Sequence, residues 1–400
     1  MTTGPVIVVG AGPAGMAAAL AMHRIGHEVM LLERYSEALP AGSGLSLFAP
    51  VVKALAALGV DTRDLGAPCS VVFERQDGRV LADIKFPPEV GAYGGGFFGL
   101  LRPALYRRMS AALPAGVLQP DRTVTGIKDR GDDVLVELAD GERISAALVI
   151  GADGINSTVR TTLWGPSPIR EHRLHVLCGF TFDLPPSARR DVCAIGLDGV
   201  IQASYSEIVD DGRRGHQWWI IEAWDPETPP PADLHERAAK LAADYGSPMP
   251  DLVAATRPED VFRWQIRDRK PIKKWSKGRV TLAGDSAHAT SPYAAYGAGM
   301  GIGDGYFLGQ VLAGVDLADR DAVTAALRRY EDHRVHHTSS QVQLAYILGQ
   351  VLHRVPAPLR PVRDLFLNRS GILQKRVGEK SPGEIVAQLE EMDDRVFSLR

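Results

Sequence analysis

Three glycine-rich stretches carry the residues best suited to chemistry, in a fixed order: Gly10-Ala11-Gly12-Pro13-Ala14-Gly15, then Gly151-Ala152-Asp153-Gly154, then Gly284-Asp285-Ser286-Ala287-His288. In the first, each glycine has a separate task. Gly10 permits a tight strand-to-helix turn, Gly12 lets a phosphate approach the backbone, and Gly15 lets the helix lie close to the strand. Pro13 and Ala14 open a helix whose unpaired N–H groups and positive dipole end favour a pyrophosphate. Glu33 lies about twenty residues beyond the motif, where a carboxylate accepts hydrogen bonds from both hydroxyls of a ribose and repels a 2′-phosphate. A Gly-x-Gly-x-x-Gly turn alone also occurs for structural reasons; the full set marks a dinucleotide site and leaves NAD and FAD both open.

The elements that must position these residues are written around them. Val6 to Val9 is a short β-branched run that reads as a buried parallel strand, Pro13 to Ile25 is Ala-rich and helical, and Glu28 to Leu32 is a second strand ending at Glu33. Ala41 to Leu47 reads as a flexible loop, and Val51 to Leu58 as a helix ended by Gly59. Residues 70 to 85 read as a hairpin turning at Gln76-Asp77-Gly78-Arg79. Leu101 to Leu113 is a helix preceded by the mobile Gly94-Gly95-Gly96, and residues 117 to 150 are a β-meander closing with Ala147 to Ile150. Residues 171 to 265 break this rhythm. Their strand formers and turns, including Ala194 to Tyr205 and Gln217 to Trp224, read as a β-sheet insertion with a proline-rich joint at Pro226 to Pro231. From Val280 the order of strand, glycine and helix resumes, and after Asp321 the chain is mostly helical.

The second and third stretches carry a specific resemblance. Gly151 to Arg160, Ile266-Arg267-Asp268-Arg269-Lys270-Pro271, Gly278 to His288 and Pro292 to Asp304 resemble the FAD-dependent aromatic hydroxylases. These are the class A flavoprotein monooxygenases that include para-hydroxybenzoate and salicylate hydroxylases. The likeness runs from near residue 5 to about residue 335 and is weakest in the insertion. It implies an α/β fold: a Rossmann-like FAD-binding domain of the GR2 type, an inserted mainly β substrate domain and a C-terminal helical region. The expected boundaries are 1–70, 97–170 and 266–350 for the discontinuous FAD-binding domain, 71–96 and 171–265 for the β-sheet substrate domain, and 351–400 for the helical segment.

The resemblance further implies bound FAD, with NADH or NADPH as reductant; a second dinucleotide fingerprint is absent from the sequence. In such a site Asp285 reaches the ribityl hydroxyls, while the Gly297-Ala298-Gly299 amides cradle negative charge on the reduced ring. Arg102 matches an arginine that contacts the FAD chain, and Asp153 with Gly154 matches a loop serving both FAD and nicotinamide docking. Arg34, Ser46, Val124, Pro292 and Met300 complete the expected cofactor set. Structural readings stay open beside these: Asp153 is placed to cap the following helix, Arg102 to be a solvated charge, and His288 to be a buried structural histidine. Where many relatives have Gly-Gln this chain has Ala295-Tyr296, and where many have Pro-Asn it has Ala49-Pro50, which leaves the substrate class open.

The activity implied is single-component monooxygenation. NAD(P)H reduces FAD, the reduced ring and dioxygen form a flavin C4a-hydroperoxide, and its distal oxygen passes to an aromatic or polyketide-like small molecule. The insertion is expected to roof the pocket with Gln202, Ser204, Trp218, Ile220 and Glu222, joined by Tyr296 from the flavin side. Tyr205, Tyr293 and His216 are the titratable candidates for catalysis. Aromatic side chains in a strand pattern are also ordinary packing. Two other activities remain: an FAD-dependent reductase or dehydrogenase without oxygen insertion, and a flavin-dependent halogenase, whose Trp-x-Trp-x-Ile-Pro segment Gln217-Trp218-Trp219-Ile220-Ile221 does not reproduce.

Composition sets looser bounds. A chain of 400 residues has room for two domains or one large α/β body with insertions. With 45 basic and 48 acidic residues the formal net charge is -3, which offers no electrostatic argument for nucleic acid or an anionic membrane. No stretch is long and apolar enough to span a bilayer. Cys69, Cys178 and Cys193 are odd in number and lack metal-ligand spacing, and no basic leader precedes the apolar start, so the expectation is a cytoplasmic protein without a metal. His336-His337 are adjacent on a helix and point in different directions. Arg328 to Arg376 is basic and helical, and three prolines between Val351 and Val362 end the long helix. A monomer or homodimer is expected.

Overall fold

The structure, a computed structural model, describes residues 4–37, 44–294, 296–369, 374–375, 380–392 and 395–398. The Ala41 to Ser43 part of the expected flexible loop, Ala295 and parts of the 351–400 segment lie outside the described residues.

In chain order, β1 (Val6–Val9), α1 (Pro13–Arg24) and β2 (Val29–Leu32) form the first unit. β3 (Gly44–Phe48) leads into α2 (Ala49–Ala57), and β4 (Ala67–Pro68) into a hairpin of β5 (Ser70–Glu74) and β6 (Val80–Ile84). After a 3-10 turn at Pro88–Tyr93 come β7 (Phe97–Leu101), α3 (Arg102–Ala112) and β8 (Leu118–Gln119). A meander of β9 (Val124–Asp129), β10 (Val134–Leu138) and β11 (Arg143–Ala146) precedes β12 (Leu148–Gly151) and α4 (Thr158–Trp164). The strands β13 (Arg170–Thr181), β14 (Val192–Asp198), β15 (Ile201–Asp210) and β16 (Arg213–Ala223) are followed by α5 (Leu234–Ala242), α6 (Met249–Ala254) and β17 (Val261–Asp268). β18 (Val280–Leu282), a short α7 (Asp285–His288), α8 (Gly297–Leu312), α9 (Arg320–His353), α10 (Arg360–Arg369) and α11 (Lys380–Glu391) complete the main elements.

Two large sheets organise the molecule. The first has strand order β18-β12-β1-β2-β8 and is parallel throughout. β1 and β12 are buried along their whole length, as strands covered on both faces must be. The chain leaves β1 toward β2 on one side and returns as β12 on the other, which makes the carboxyl ends of β1 and β12 the switch point where such sheets bind ligands. The second sheet has seven strands, ordered β17-β13-β16-β15-β14-β5-β6, so the β5–β6 hairpin joins the later strands through parallel pairing of β5 with β14.

The face of this second sheet carrying Leu177, Tyr205, Trp218 and Ile220 packs beneath α5 and α6. The opposite face carries Leu174, Val176, Cys178 and Ile221, with Trp219, Phe262 and Tyr293 against them, and looks toward the parallel sheet. The two helices cover one face of the mainly β insertion expected over residues 171 to 265. Asp233 caps α5 by accepting from the Glu236 N–H at 2.9 Å, and Ala238, Leu241 and Ala242 supply its buried stripe.

Close helix contact holds the first layer together. A Cβ on Gly305 of α8 would come within 2.5 Å of the Ala17 carbonyl carbon and the Ala18 nitrogen of α1, so the two helices approach nearly backbone to backbone. α9 is clamped to the second sheet by a buried cluster. Asp268 accepts from Arg170 at 2.6 and 2.7 Å and pairs with His172 Nε2 at 2.8 Å, and the Arg170 guanidinium stacks 3.7 Å from the Tyr346 ring. The three cysteines are buried and form no disulfide with one another, and among the described residues no helix is long and apolar enough to cross a membrane.

Candidate active site

The three glycine signatures follow directly on β1, β12 and β18, which are neighbours in the parallel sheet, with Val9 opposite Gly151 and Gly151 opposite Leu282. Backbone hydrogen bonds continue this past the strand ends, from Ala152 N to Val9 O and from Ala283 N to Gly151 O, each 2.8 Å. The turns then touch. Gly10 has φ +97°, and a Cβ there would sit 2.6 Å from Ala152 O; a Cβ on Gly284 would sit 2.6 Å from the Ala14 Cβ. The touching turns therefore leave no room for side chains at Gly10 and Gly284, while Gly12 faces open space with only the Tyr106 hydroxyl at 3.8 Å.

Charges gather around that space. Glu33 accepts from Ala11 N at 2.7 Å and from Tyr35 N at 3.1 Å, which holds its carboxylate beside the first turn. Arg102 begins α3 and is exposed. The Asp285 side chain is open to solvent yet hemmed in by protein on most sides, and that burial raises its carboxyl above the ordinary range, opposed by His288 and Arg102. Burial also raises the Tyr106 phenol, again opposed by Arg102. A carboxylate whose charge carries a burial penalty suits the hydroxyls of a polyol chain, which donate to it. These observations fit FAD.

α8 supplies the positive end of a dipole. No side chain caps its start at Tyr296, so the first amides of Gly297, Ala298 and Gly299 are left for a ligand. Asp304, about two turns into the helix and fully buried, fixes this end: it accepts from Gly284 N at 2.8 Å, from Arg334 Nε at 2.9 Å and pairs with His288 Nε2 at 2.6 Å. Arg334 also donates to Met300 O at 3.1 Å. His288 thus takes the structural reading left open for it. Asp304 was quoted in the sequence pattern without a role; nothing local distinguishes a hub of this kind, because its partners come from β18, α7 and α9.

Other expected cofactor residues divide. Asp153 directs both carboxylate oxygens at α4, accepting from Ser157 Oγ, from Thr158 N at 2.7 Å and from Val159 N at 3.1 Å, which is the capping reading. Gly154 follows at φ +78°. Arg34 is exposed over the Tyr35 ring at 4.6 Å, Ser46 is half-buried on β3, Pro292 is exposed, and Val124 and Met300 are buried.

The second sheet roofs this floor, and its pleat divides the substrate candidates. Gln202 and Ser204 point inward; opposite them across the β15–β16 ladder stand Ile221 and Trp219. Gln202 donates to Ser204 Oγ at 3.2 Å, and Gln217 donates to Ser206 Oγ at 2.7 Å and to Leu45 O at 3.3 Å. Trp218, Ile220 and Glu222 alternate onto the outer face, together with Tyr205 and His216, and this corrects their expected place over the pocket. Trp218 donates to Thr256 Oγ1 at 2.8 Å, and Glu222 pairs with His175 and Arg237. Tyr205 accepts from Arg189 at 2.8 Å, and His216 Nε2 bonds to Arg189 O at 2.7 Å, burial lowering its pKa. Trp219 and Ile221 are the inward neighbours that sequence reasoning passed over.

Tyr293 is brought to the inward face, against Leu174 and Ile221, and its hydroxyl meets His353 Nε2 at the end of α9. His353 Nδ1 lies 2.6 Å from Val200 O, a group that only accepts, so Nδ1 carries the proton and Nε2 accepts from Tyr293. Burial lowers the His353 pKa to about 4, which keeps the ring neutral. Tyr296 turns away from the roof. It donates to Gln388 Oε1 on α11 at 2.9 Å and lies edge-on to Phe48 at 5.7 Å.

A parallel sheet with its phosphate turn at the switch point, an open carboxylate beyond a third strand and an uncapped helix start define a flavin-dinucleotide protein. The chain belongs to the FAD binding domain family, whose model it matches over residues 3–345. It is similar to 3-amino-4-hydroxybenzoate 2-monooxygenase PtnB3 of Streptomyces platensis, 29% identical over 378 residues that cover 90% of this chain and 91% of that protein. It is also similar to 6-hydroxynicotinate 3-monooxygenase of Bordetella bronchiseptica, 31% identical over 350 residues covering 84% of this chain and 88% of the other. Among solved structures, Klebsiella pneumoniae HpxO complexed with FAD and uric acid superposes with a TM-score of 0.83 over 96% of each chain at 24% identity, a likeness of fold. The protein is an FAD-dependent monooxygenase.

Proposed function

We propose that this monooxygenase takes electrons from NAD(P)H and hydroxylates an aromatic small molecule held between the FAD site and the inward face of the second sheet. The observation that carries this reading is the meeting of the three glycine turns, Asp285 and the α8 amides beneath a sheet face built of Trp219, Ile221 and Val176. When bound, the flavin supplies the redox chemistry, accepting hydride and activating dioxygen for transfer of one oxygen atom.

The chain supplies binding, orientation and dryness. Gly12 and the start of α1 would hold the pyrophosphate, Glu33 a ribose and Asp285 the ribityl hydroxyls, while the amides of Gly297 to Gly299 favour negative charge on the ring. The apolar roof excludes water, which strengthens those electrostatic contacts and protects a reactive oxygen species from hydrolysis. Tyr293, its proton committed to His353, offers its oxygen to a donor on the substrate.

NAD(P)H oxidation by the FAD-loaded protein, followed with and without dioxygen against a panel of phenols and hydroxylated N-heterocycles, tests this. Acceleration by a compound that is itself hydroxylated in air supports the reading; acceleration without hydroxylation of any compound contradicts it.

A further inference from the structure

Among the described residues, the inward face of the roof carries no charge away from its strand ends. From Leu174 to Cys178 on β13, Cys193 to Leu197 on β14, Gln202 to Ile208 on β15, Gly215 to Ile221 on β16 and Phe262 to Ile266 on β17, every described side chain on this face is apolar, aromatic, amide, hydroxyl or thiol. Lys, Arg and His are confined to the outer face or to strand ends. Among the described residues, four cations that border the roof are already engaged, Arg170 by Asp268, Arg334 by Asp304, Lys53 by the carbonyls of Leu389 and Met392, and Arg363 by Gly199 O, Leu352 O and Asp364, while Arg102 stands on the FAD side beside Asp285. His353, whose ring reaches Tyr293, has its pKa lowered by burial to about 4 and stays neutral above that.

A carboxylate entering such a space loses its hydration with no cation to replace it, whereas a neutral ring loses little. The polar groups that are present are neutral, and Tyr293 is the one set to accept. Tyr293 gives its proton to His353 and is left as an acceptor, and Gln202 and Ser204 complete a neutral polar strip on β15.

Resting on the hydroxylase reading above, we infer that the substrate is an uncharged aromatic bearing an N–H or O–H donor, such as a phenol or a hydroxylated N-heterocycle in its neutral form, and not an aromatic acid. This sets the chain apart from the relatives named for hydroxybenzoate and hydroxynicotinate.

The test is calorimetric titration of the FAD-loaded protein at pH 7.5 with matched pairs: 4-hydroxyquinoline against its 2-carboxylate, 2-hydroxypyridine against 6-hydroxynicotinate, and phenol against 3-hydroxybenzoate, each acid accompanied by its methyl ester. The neutral member should bind at least tenfold more tightly than the acid, with the ester restoring most of the difference. Equal or tighter binding of the acids, esters no better than acids, or no binding by any neutral member overturns the inference. Hydroxylation is read separately in the same samples. Neutral preference without oxygen incorporation upholds the inference on the ligand while contradicting the proposed reaction.

Discussion

Asp285 is open to solvent but poorly hydrated, and a ligand offering hydroxyl donors relieves that penalty. Asp285→Ala should weaken FAD binding by tenfold or more, about 1.4 kcal/mol, read from the flavin content of the purified protein and by titration of the apoprotein. Asp304→Asn strikes the same site from behind, because His288, Arg334 and Gly284 lose a common anion. It should lower both Tm and flavin content, a buried pair broken on one side costing about 3–5 kcal/mol. Tyr293→Phe separates binding from cofactor retention: flavin content holds while the neutral donor ligands bind several-fold more weakly. Parallel loss of FAD in that variant would show Tyr293 to be structural. At this scale the sequence was most legible in the turn geometry, as with Gly10 and Gly15, where the fold leaves no room for a Cβ, and Glu33, which accepts from Ala11 N beside the first turn. It was least legible at Asp304 and His353, whose partners are chosen by elements distant in the chain.

The elements repeat that division. The first βαβ unit and the strand before each glycine turn could be read directly, since a fully buried parallel strand is a continuous apolar run. Strand positions in the insertion could be read, but their faces could not. Both faces of β15 and β16 are buried, so Tyr205 and Trp218 look no more external than Ser204 and Trp219, and the period-two pattern that assigns a face is silent. For α5 a signal did exist, Asp233 with Glu236 ahead of an amphipathic run. Helix contact gives its own prediction. Gly305→Ala forces a methyl into the α1 backbone and should cost about 1–3 kcal/mol, displacing the α8 start and lowering flavin content. Gly383→Ala, on α11 with nothing within 4 Å of the new Cβ, should be neutral or stabilising by up to about 1 kcal/mol. Differential scanning calorimetry of both variants checks the contrast.

Across the whole molecule, the long α9 ties floor to roof. Tyr330 donates to Leu282 O, Arg334 reaches Asp304, Tyr346 packs on Arg170, and His353 holds both Tyr293 and the β14–β15 turn. Several of the buried groups on this helix are histidines kept neutral by burial: His337 and His353 are lowered to about 4, and His333 shifts the same way. Each has a folded pKa below the ordinary 6.5, so the unfolded chain binds more protons between pH 4 and 6.5. Stability is therefore fully present above pH 6.5 and falls as the pH drops toward 4. Thermal unfolding from pH 4.5 to 8 should show Tm rising to about 6.5 and then levelling, and His337→Gln should flatten that rise.

Oxygen incorporation from labelled dioxygen is the most direct measurement of what the assembled site does. With FAD-loaded protein, NAD(P)H and a ligand that accelerates its oxidation, the account predicts a hydroxylated aromatic product carrying one labelled atom from the gas and none from water. Consumption of NAD(P)H with every accelerating ligand recovered unlabelled and unchanged would contradict it.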